Sequence, residues 1–359
     1  MKIGIATHPL LSNYGGILQN FALQQVLKKL GHEPVTIDFV PEYSVYKYVR
    51  SLCKTLLLLF IPWKRRPFVS YRAMGSRNAK VEDFCRKHIT LTERVYRYMP
   101  DIVTCYNMKA VIVGSDQVWR ARYNRYPGYI EDMFLRFVKE SSVKKLAYAA
   151  SFGIDEWDYL PEMTERCKGY AALFTSISVR ESSGVVLCEK HLHVKAIEVL
   201  DPTLLLEQVD YEDVCSEVPR DTSRFMAAYI LDISQGKRKM INDIARKKGL
   251  TVKYFSAHQN MKLSIEEWLA MFRDTKFVVT DSFHGTVFSI LFNKPFLTIG
   301  NTSRGMARFH SLLNVFDLQN RLCEVGQEFA EVDKIDWEKV NGRRAELKAH
   351  SLDFLRILE

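Results

Sequence analysis

Lys276-Phe277-Val278-Val279-Thr280-Asp281-Ser282-Phe283-His284-Gly285, running into Thr286-Val287-Phe288-Ser289-Ile290-Leu291-Phe292, reads as a buried strand, a short polar turn and an apolar helix. A single imidazole, His284, stands where the strand ends and the helix begins. At such a junction free backbone N–H groups and the positive end of the helix dipole point the same way, which favours an anion. A histidine placed there can touch a phosphate or carboxylate and also move a proton near neutral pH.

The same alternation extends in both directions. Toward the C-terminal half, strands are expected over 225–231, 251–255, 277–280 and 295–299. The intervening helices are expected over 237–248, 265–272, 285–292 and 304–313. In the first half, strands are expected over 2–6, 35–39, 110–113, 146–150, 177–179 and 196–200, with an amphipathic helix over 17–30. Gly31 and Gly249 follow helices, where a left-handed residue commonly closes the last turn. An extended stretch is expected from Asp201-Pro202-Thr203, and 209–223 reads as the connection between domains. Strands alternating with helices argue for parallel sheets wrapped by helices. The expected fold class is therefore α/β, with two Rossmann-like domains facing a cleft. The first spans 1–208, with a basic and apolar insertion at 43–77, and the second spans 222–359. In such sheets ligands sit beyond the carboxyl ends of the strands.

At 359 residues the chain has room for two domains. Its 47% hydrophobic and 26% charged residues are those of an ordinary globular protein. The seven cysteines form no C-x-x-C pair and are odd in number, which argues against a disulfide framework or cysteine-based zinc site and favours the cytoplasm. His191 and His193 near Cys188 fit no standard metal spacing. The N-terminus reads as a strand and not as a secretory signal, and no apolar run approaches the ~20 residues of a membrane span. The net charge of +9 suits a partner with phosphates or an anionic membrane surface. No zinc-finger, RNP or helix-turn-helix pattern supports nucleic acid as that partner.

Six segments in order resemble the polysaccharide pyruvyl transferase family. They are Asn13-Tyr14-Gly15-Gly16-Ile17-Leu18-Gln19-Asn20-Phe21-Ala22-Leu23, Val113-Gly114-Ser115-Asp116-Gln117-Val118-Trp119, Ala147-Tyr148-Ala149-Ala150-Ser151-Phe152-Gly153, Ser178-Val179-Arg180-Glu181, Val199-Leu200-Asp201-Pro202-Thr203 and Thr280-Asp281-Ser282-Phe283-His284-Gly285. Each alone is a modest signal, and together they cover roughly residues 1–313. The resemblance implies a glycosyltransferase-B-like fold. It implies transfer of a pyruvyl group from phosphoenolpyruvate to two hydroxyls of a sugar, giving a cyclic ketal and phosphate. It implies no metal or organic cofactor, and acceptors among cell-surface polysaccharides or their lipid-linked precursors.

Such a reaction needs a general acid for the methylene carbon, cations for phosphate and carboxylate, and a dry pocket. The family histidine falls on His284, either as that acid or as a helix-cap residue. The resemblance places the donor-binding arginine at Arg180, for which the alternative is a surface pair with Glu181. Some relatives carry an arginine two residues before the histidine, where this chain has Ser282. Arg304 and Arg308 either supply the missing charge or are solvated helix residues; Ser282 either caps the helix or bonds the phosphate, and with Phe283 and Gly285 completes the donor side. Asp116 stands after a strand, either to orient or deprotonate an acceptor hydroxyl or to cap a loop. Trp119 either stacks on a sugar or fills the core. Asn13, Tyr14, Gly15, Gly16 and Gln19 complete the acceptor side. The turn is not G-x-G-x-x-G, so no dinucleotide is inferred.

Lys47, Arg50 and Lys54 fall at helical spacing, followed by Leu56-Leu57-Leu58-Leu59-Phe60-Ile61 and Trp63-Lys64-Arg65-Arg66. That order suits either a headgroup interface at the inner leaflet or a helix packed on the first domain. Two other functions fit the architecture: a nucleotide-sugar glycosyltransferase, and a non-catalytic glycan-binding protein of polysaccharide assembly.

Overall fold

The computed structural model describes residues 1–41, 45–58, 77–124, 128–255, 263–301, 305–326 and 334–359. Among them, two parallel sheets carry the architecture. In the first, β1 is Lys2–Ala6, β2 Glu33–Thr36, β3 Ala110–Asp116, β4 Lys144–Ala150, β5 Ser176–Val179 and β6 Ile197–Glu198. Their spatial order is β2-β1-β3-β4-β5-β6. In the second, β7 is Phe225–Tyr229, β8 Thr251–Phe255, β9 Phe277–Thr280, β10 Phe296–Ile299 and β11 Leu322–Cys323, ordered β11-β10-β9-β7-β8. Strands such as β3 and β9 are buried along their whole length. That explains their continuous apolar runs, since a parallel strand is covered on both faces.

Both sheets are wound alike. In each, the first strand lies between the second and the third, so the chain leaves β1 and β3, or β7 and β9, in opposite directions. A crevice opens at the carboxyl ends of such a pair. Ile3 and Ile5 of β1 share one apolar cluster with Phe225 of β7 and Val278 of β9, so the two lobes are packed and not merely tethered.

Three segments differ from the sequence expectation. The stretch after Asp201 is not extended. It forms a 3-10 turn, Pro202–Leu205, because the Asp201 carboxylate accepts from the Thr203 amide at 3.0 Å and hydroxyl at 2.7 Å. The connection at 209–223 contains a helix, Gln208–Val214, and its Tyr211 is fully buried between Phe21 of the first lobe and Phe288 of the second. The last helix, Trp337–Leu355, drawn with the second domain from sequence, reaches back to the first. Its Ser351 hydroxyl accepts from the Leu200 amide at 3.0 Å, and Phe354 packs on Tyr148 of β4. Of the 43–77 insertion, the described portion is the helix Val45–Leu58 and the residues from Arg77 onward; 59–76, with Trp63 to Arg66, lies outside the described residues. No helix among the described residues is long and apolar enough to cross a membrane.

Candidate active site

The crevices of the two lobes open onto one cavity of about 380 Å³. The first lobe supplies His8, Asn13 and Gly15 after β1, and Asp116 and Gln117 at the end of β3. The second supplies Tyr229 at the end of β7, Leu231 just past it, and Asp281 to His284 after β9. Two helices begin at this cavity, Tyr14–Lys29 and Phe283–Leu291, and neither has an acidic residue in its first turn. Their positive ends are therefore not neutralised from within.

His284 sits where the two helices meet. A Cβ on Gly15 would lie 2.0 Å from its Nδ1, so only glycine allows the first helix this close. Its Nε2 is 3.8 Å from Asp201 Oδ2, beyond hydrogen-bond reach, and has no partner among the described residues. Burial lowers the proton affinity of His284, and the attraction of Asp201 and Asp116 does not make up for it. The imidazole is therefore neutral at pH 7 and carries an unsatisfied ring nitrogen.

Charges line up behind it. Arg180 donates to Asp201 at 2.7 Å and to Asp116 at 3.3 Å, and it is 5% exposed. The Phe283 ring meets two guanidiniums, its centroid 4.3 Å from that of Arg180 and 5.2 Å from that of Arg308. Arg308 lines the cavity. Burial, then the like charge of Arg180, brings its pKa down to about 10, so its charge is held at a cost. Asp116 has φ +70°, a left-handed shape that Asp tolerates better than most residues. Burial raises its pKa, but Arg180, His284, Arg308 and His8 outweigh that and hold it well below the carboxylate range. Its second oxygen accepts from Asn13 at 2.9 Å.

A family model described as polysaccharide pyruvyl transferase matches residues 13–303. The chain belongs to the polysaccharide pyruvyl transferase family. None of the curated proteins matches its sequence. Among solved structures, a UDP-GlcNAc 2-epimerase from Methanocaldococcus jannaschii in complex with UDP-GlcNAc and UDP is similar at TM-score 0.50 and 11% identity, covering 100% of this chain and 99% of that one. A spinosyn rhamnosyltransferase complexed with spinosyn aglycone is similar at TM-score 0.44 and 9% identity, covering 100% of both chains. The fold is α/β and glycosyltransferase-B-like, with two Rossmann-like domains facing a cleft.

In this pyruvyl transferase family member, His284, Ser282, Phe283, Arg308, Asp116, Asn13 and Gly15 all line the cavity. Ser282 also caps its helix, accepting from the Gly285 amide at 3.4 Å. The remaining candidates stand elsewhere. Arg180 is one row back, held by two aspartates, and it lines a second cavity of about 280 Å³. Gly285 serves packing, since a Cβ there would meet Thr280 Oγ1 at 2.2 Å. Trp119 is fully buried, stacks on Phe134 and donates its indole N–H to Met133 O, so it is closed to any sugar. Tyr14 is 1% exposed, packs on Trp268 and donates to Leu263 O, which pins the lobes together. Gln19 is fully buried and ties the ends of β1 and β3, its amide N–H reaching Thr7 and its carbonyl taking the Ser115 amide. Gly16 does not line the cavity; a Cβ there would meet Asn13 Nδ2 at 3.0 Å. Arg304 lies outside the described residues.

Sequence reasoning missed two residues. Asp281 is fully buried and accepts from the Leu231 and Asp232 amides and from Lys237 Nζ, so it bolts β7 to the turn that presents His284. Its place directly before Ser282 was the available signal. His8, just past β1, was readable as a residue at a strand's carboxyl end beside a topological switch.

Proposed function

We propose that this protein transfers a pyruvyl group from phosphoenolpyruvate to two hydroxyls of a sugar in a cell-surface polysaccharide or its lipid-linked precursor, forming a ketal and releasing phosphate. One observation carries the reading. A buried imidazole with an unpaired Nε2 stands between two helix N-termini, beside an arginine whose charge is held at a cost. A small polyanion answers all three features at once. Its phosphate and carboxylate suit the helix ends and Arg308. Its negative charge also raises the proton affinity of His284.

The acid is thereby charged chiefly when the donor is present. His284 then protonates the methylene carbon, and the electron-poor centre is attacked by the first hydroxyl. Asp116, too weak a base to take that hydroxyl's proton, steadies positive charge across the cavity and orients the acceptor through Asn13. The test is phosphate release from phosphoenolpyruvate with a panel of soluble and lipid-linked glycans, with the product weighed by mass spectrometry. A pyruvate-ketal mass gain is expected, and His284→Ala should lower the rate by ~10²–10⁴-fold, the usual worth of a positioned proton transfer. Product formed from a nucleotide sugar instead would overturn the reading.

The partner side of the same reading is a membrane surface carrying a lipid-linked acceptor. The helix Val45–Leu58 leaves Lys54, Leu56 and Leu57 exposed, Leu57 by 70%. Exposed apolar residues beside a cation suit a headgroup layer. Sedimentation with vesicles containing anionic lipid should be weakened by joint Lys64→Glu, Arg65→Glu and Arg66→Glu substitution, and unchanged binding sinks the docking.

A further inference from the structure

Ketal formation moves more protons than one histidine can handle at once. Two hydroxyl protons must leave. One proton ends on the methylene carbon and one on the departing phosphate. With His284 giving its proton to carbon in the same step as the first hydroxyl attacks, a second group must accept that hydroxyl's proton.

The cavity lining narrows the choice. Asp116 has one oxygen on Asn13 and the other on Arg180. Asp281 is saturated by two amides, Lys237 and Asn301. Tyr123 and Tyr229 are phenols, which carry their own hydrogen and are poor proton acceptors. Arg122 and Arg308 are cations. Among the described lining residues with an ionisable side chain, that leaves His8.

His8 stands on the first lobe, across the cavity from the donor side. Its Nε2 is 2.9 Å from the Gln117 backbone oxygen. A carbonyl only accepts, so Nε2 carries the hydrogen, and in the neutral ring Nδ1 carries the lone pair. Nδ1 has no hydrogen-bond partner among the described residues. The rings of Tyr123 and Tyr129 flank the imidazole, at 6.5 and 6.2 Å between centroids. Gln117 follows Asp116 directly, so the bond that sets the tautomer also ties His8 to the turn that positions the acceptor side.

We propose that His8 is the base that takes the proton of the first attacking hydroxyl, a role that rests on the ketal-forming reading above. The proton count closes. His284 gives a proton to the methylene carbon while the hydroxyl oxygen bonds to the adjacent carbon and its proton passes to His8. The carbon–oxygen bond to phosphate then breaks, and His8 returns its proton to the leaving group. The second hydroxyl attacks the same carbon and reprotonates His284. Both histidines end as they began, with no further reactant.

The test compares the wild-type chain with His8→Gln and His8→Ala, using phosphoenolpyruvate and a panel of methyl hexopyranosides and lipid-linked glycans. Glutamine can keep an N–H on the Gln117 oxygen but cannot take up a proton, so it separates basicity from bracing. His8→Gln should lower kcat by ~10²–10⁴-fold, leaving the donor KM and thermal midpoint near wild type. Added imidazole should restore part of the His8→Ala rate. A His8→Gln rate within about threefold of wild type, in a preparation that His284→Ala inactivates, overturns the role of His8 alone. A wild-type chain that releases no phosphate with any acceptor overturns the pyruvyl-transfer reading, and the role of His8 with it.

Discussion

The two lobes share one strand order but equip their switch points in opposite ways. The first lobe aims charge at the cavity: Asp116 closes β3 in a left-handed turn, with Arg180 and Asn13 on its oxygens. The second turns its negative charge inward. Asp281 spends its carboxylate on the Leu231 and Asp232 amides and on Lys237, and what this lobe adds to the cavity is a helix end, a neutral imidazole and the Arg308 guanidinium. A parallel sheet therefore offers a place for chemistry without deciding its sign. A carboxylate aimed outward makes an acceptor-like surface, and one aimed inward stiffens an anion-receptive one.

The largest break in this contrast should come from Arg180. It is the shared counter-ion of two buried carboxylates, so Arg180→Ala leaves Asp116 and Asp201 without that cation. Breaking a buried ion pair in this manner typically costs about 3–5 kcal/mol. Chemical denaturation should register that loss, with activity falling because less protein is folded. Arg308→Ala should do the reverse, raising the KM for phosphoenolpyruvate about tenfold or more while stability holds or rises. If the two variants exchange these effects, Arg180 is the donor contact and the row order proposed here is wrong.

Gly15→Ala is the sharper probe of where the lobes meet. Alanine suits a helix better than glycine, but its Cβ would fall 2.0 Å from His284 Nδ1. The imidazole must then shift by about an ångström, and a displacement of that size can cost about 10²-fold in rate. We expect a near-normal unfolding midpoint with a rate loss of that order. A fully active Gly15→Ala enzyme would show that the position of His284 is not critical.

What sequence made legible follows from the same contrast. The alternation of apolar strands and helices pointed to ten of the eleven strands described, because a parallel strand buried on two faces leaves a continuous run, while β11, two residues long, leaves none. His284, Ser282 and Asp116 were legible as cavity-lining positions because a parallel sheet opens its crevice beyond the carboxyl ends of its strands. Side-chain direction was not legible. Tyr14, Gln19, Trp119 and Gly285 sit within the same motifs as the lining residues, yet each faces the packing that holds the site: Trp268 for Tyr14, Ser115 for Gln19, Phe134 for Trp119 and Thr280 for Gly285. A motif at a switch point must both present groups and brace them, and residue identity alone does not separate the two. Arg180 shows this most clearly, since guanidinium chemistry suits a phosphate and a pair of carboxylates equally well.

The smallest expected effect lies in pH. Burial lowers the His284 pKa in the folded chain below its ordinary value of 6.5. The unfolded chain therefore binds that proton first as pH falls. The contribution of His284 to stability is fully present above about pH 6.5 and is lost as pH drops through the window beneath it. His32 and His88 shift the same way, so the comparison must be with His284→Asn, which leaves them in place. Without donor, the wild type should lose more stability than this variant between pH 7 and 5.5. Phosphoenolpyruvate should reverse the sign, because a charged imidazole then has an anion to face. Its stabilisation of the wild type should grow toward pH 6, although protonation of the phosphate itself, with a pKa of about 6, works against that trend. Donor stabilisation that weakens steadily on acidification, equally in wild type and His284→Asn, would mean that the imidazole does not meet the anion.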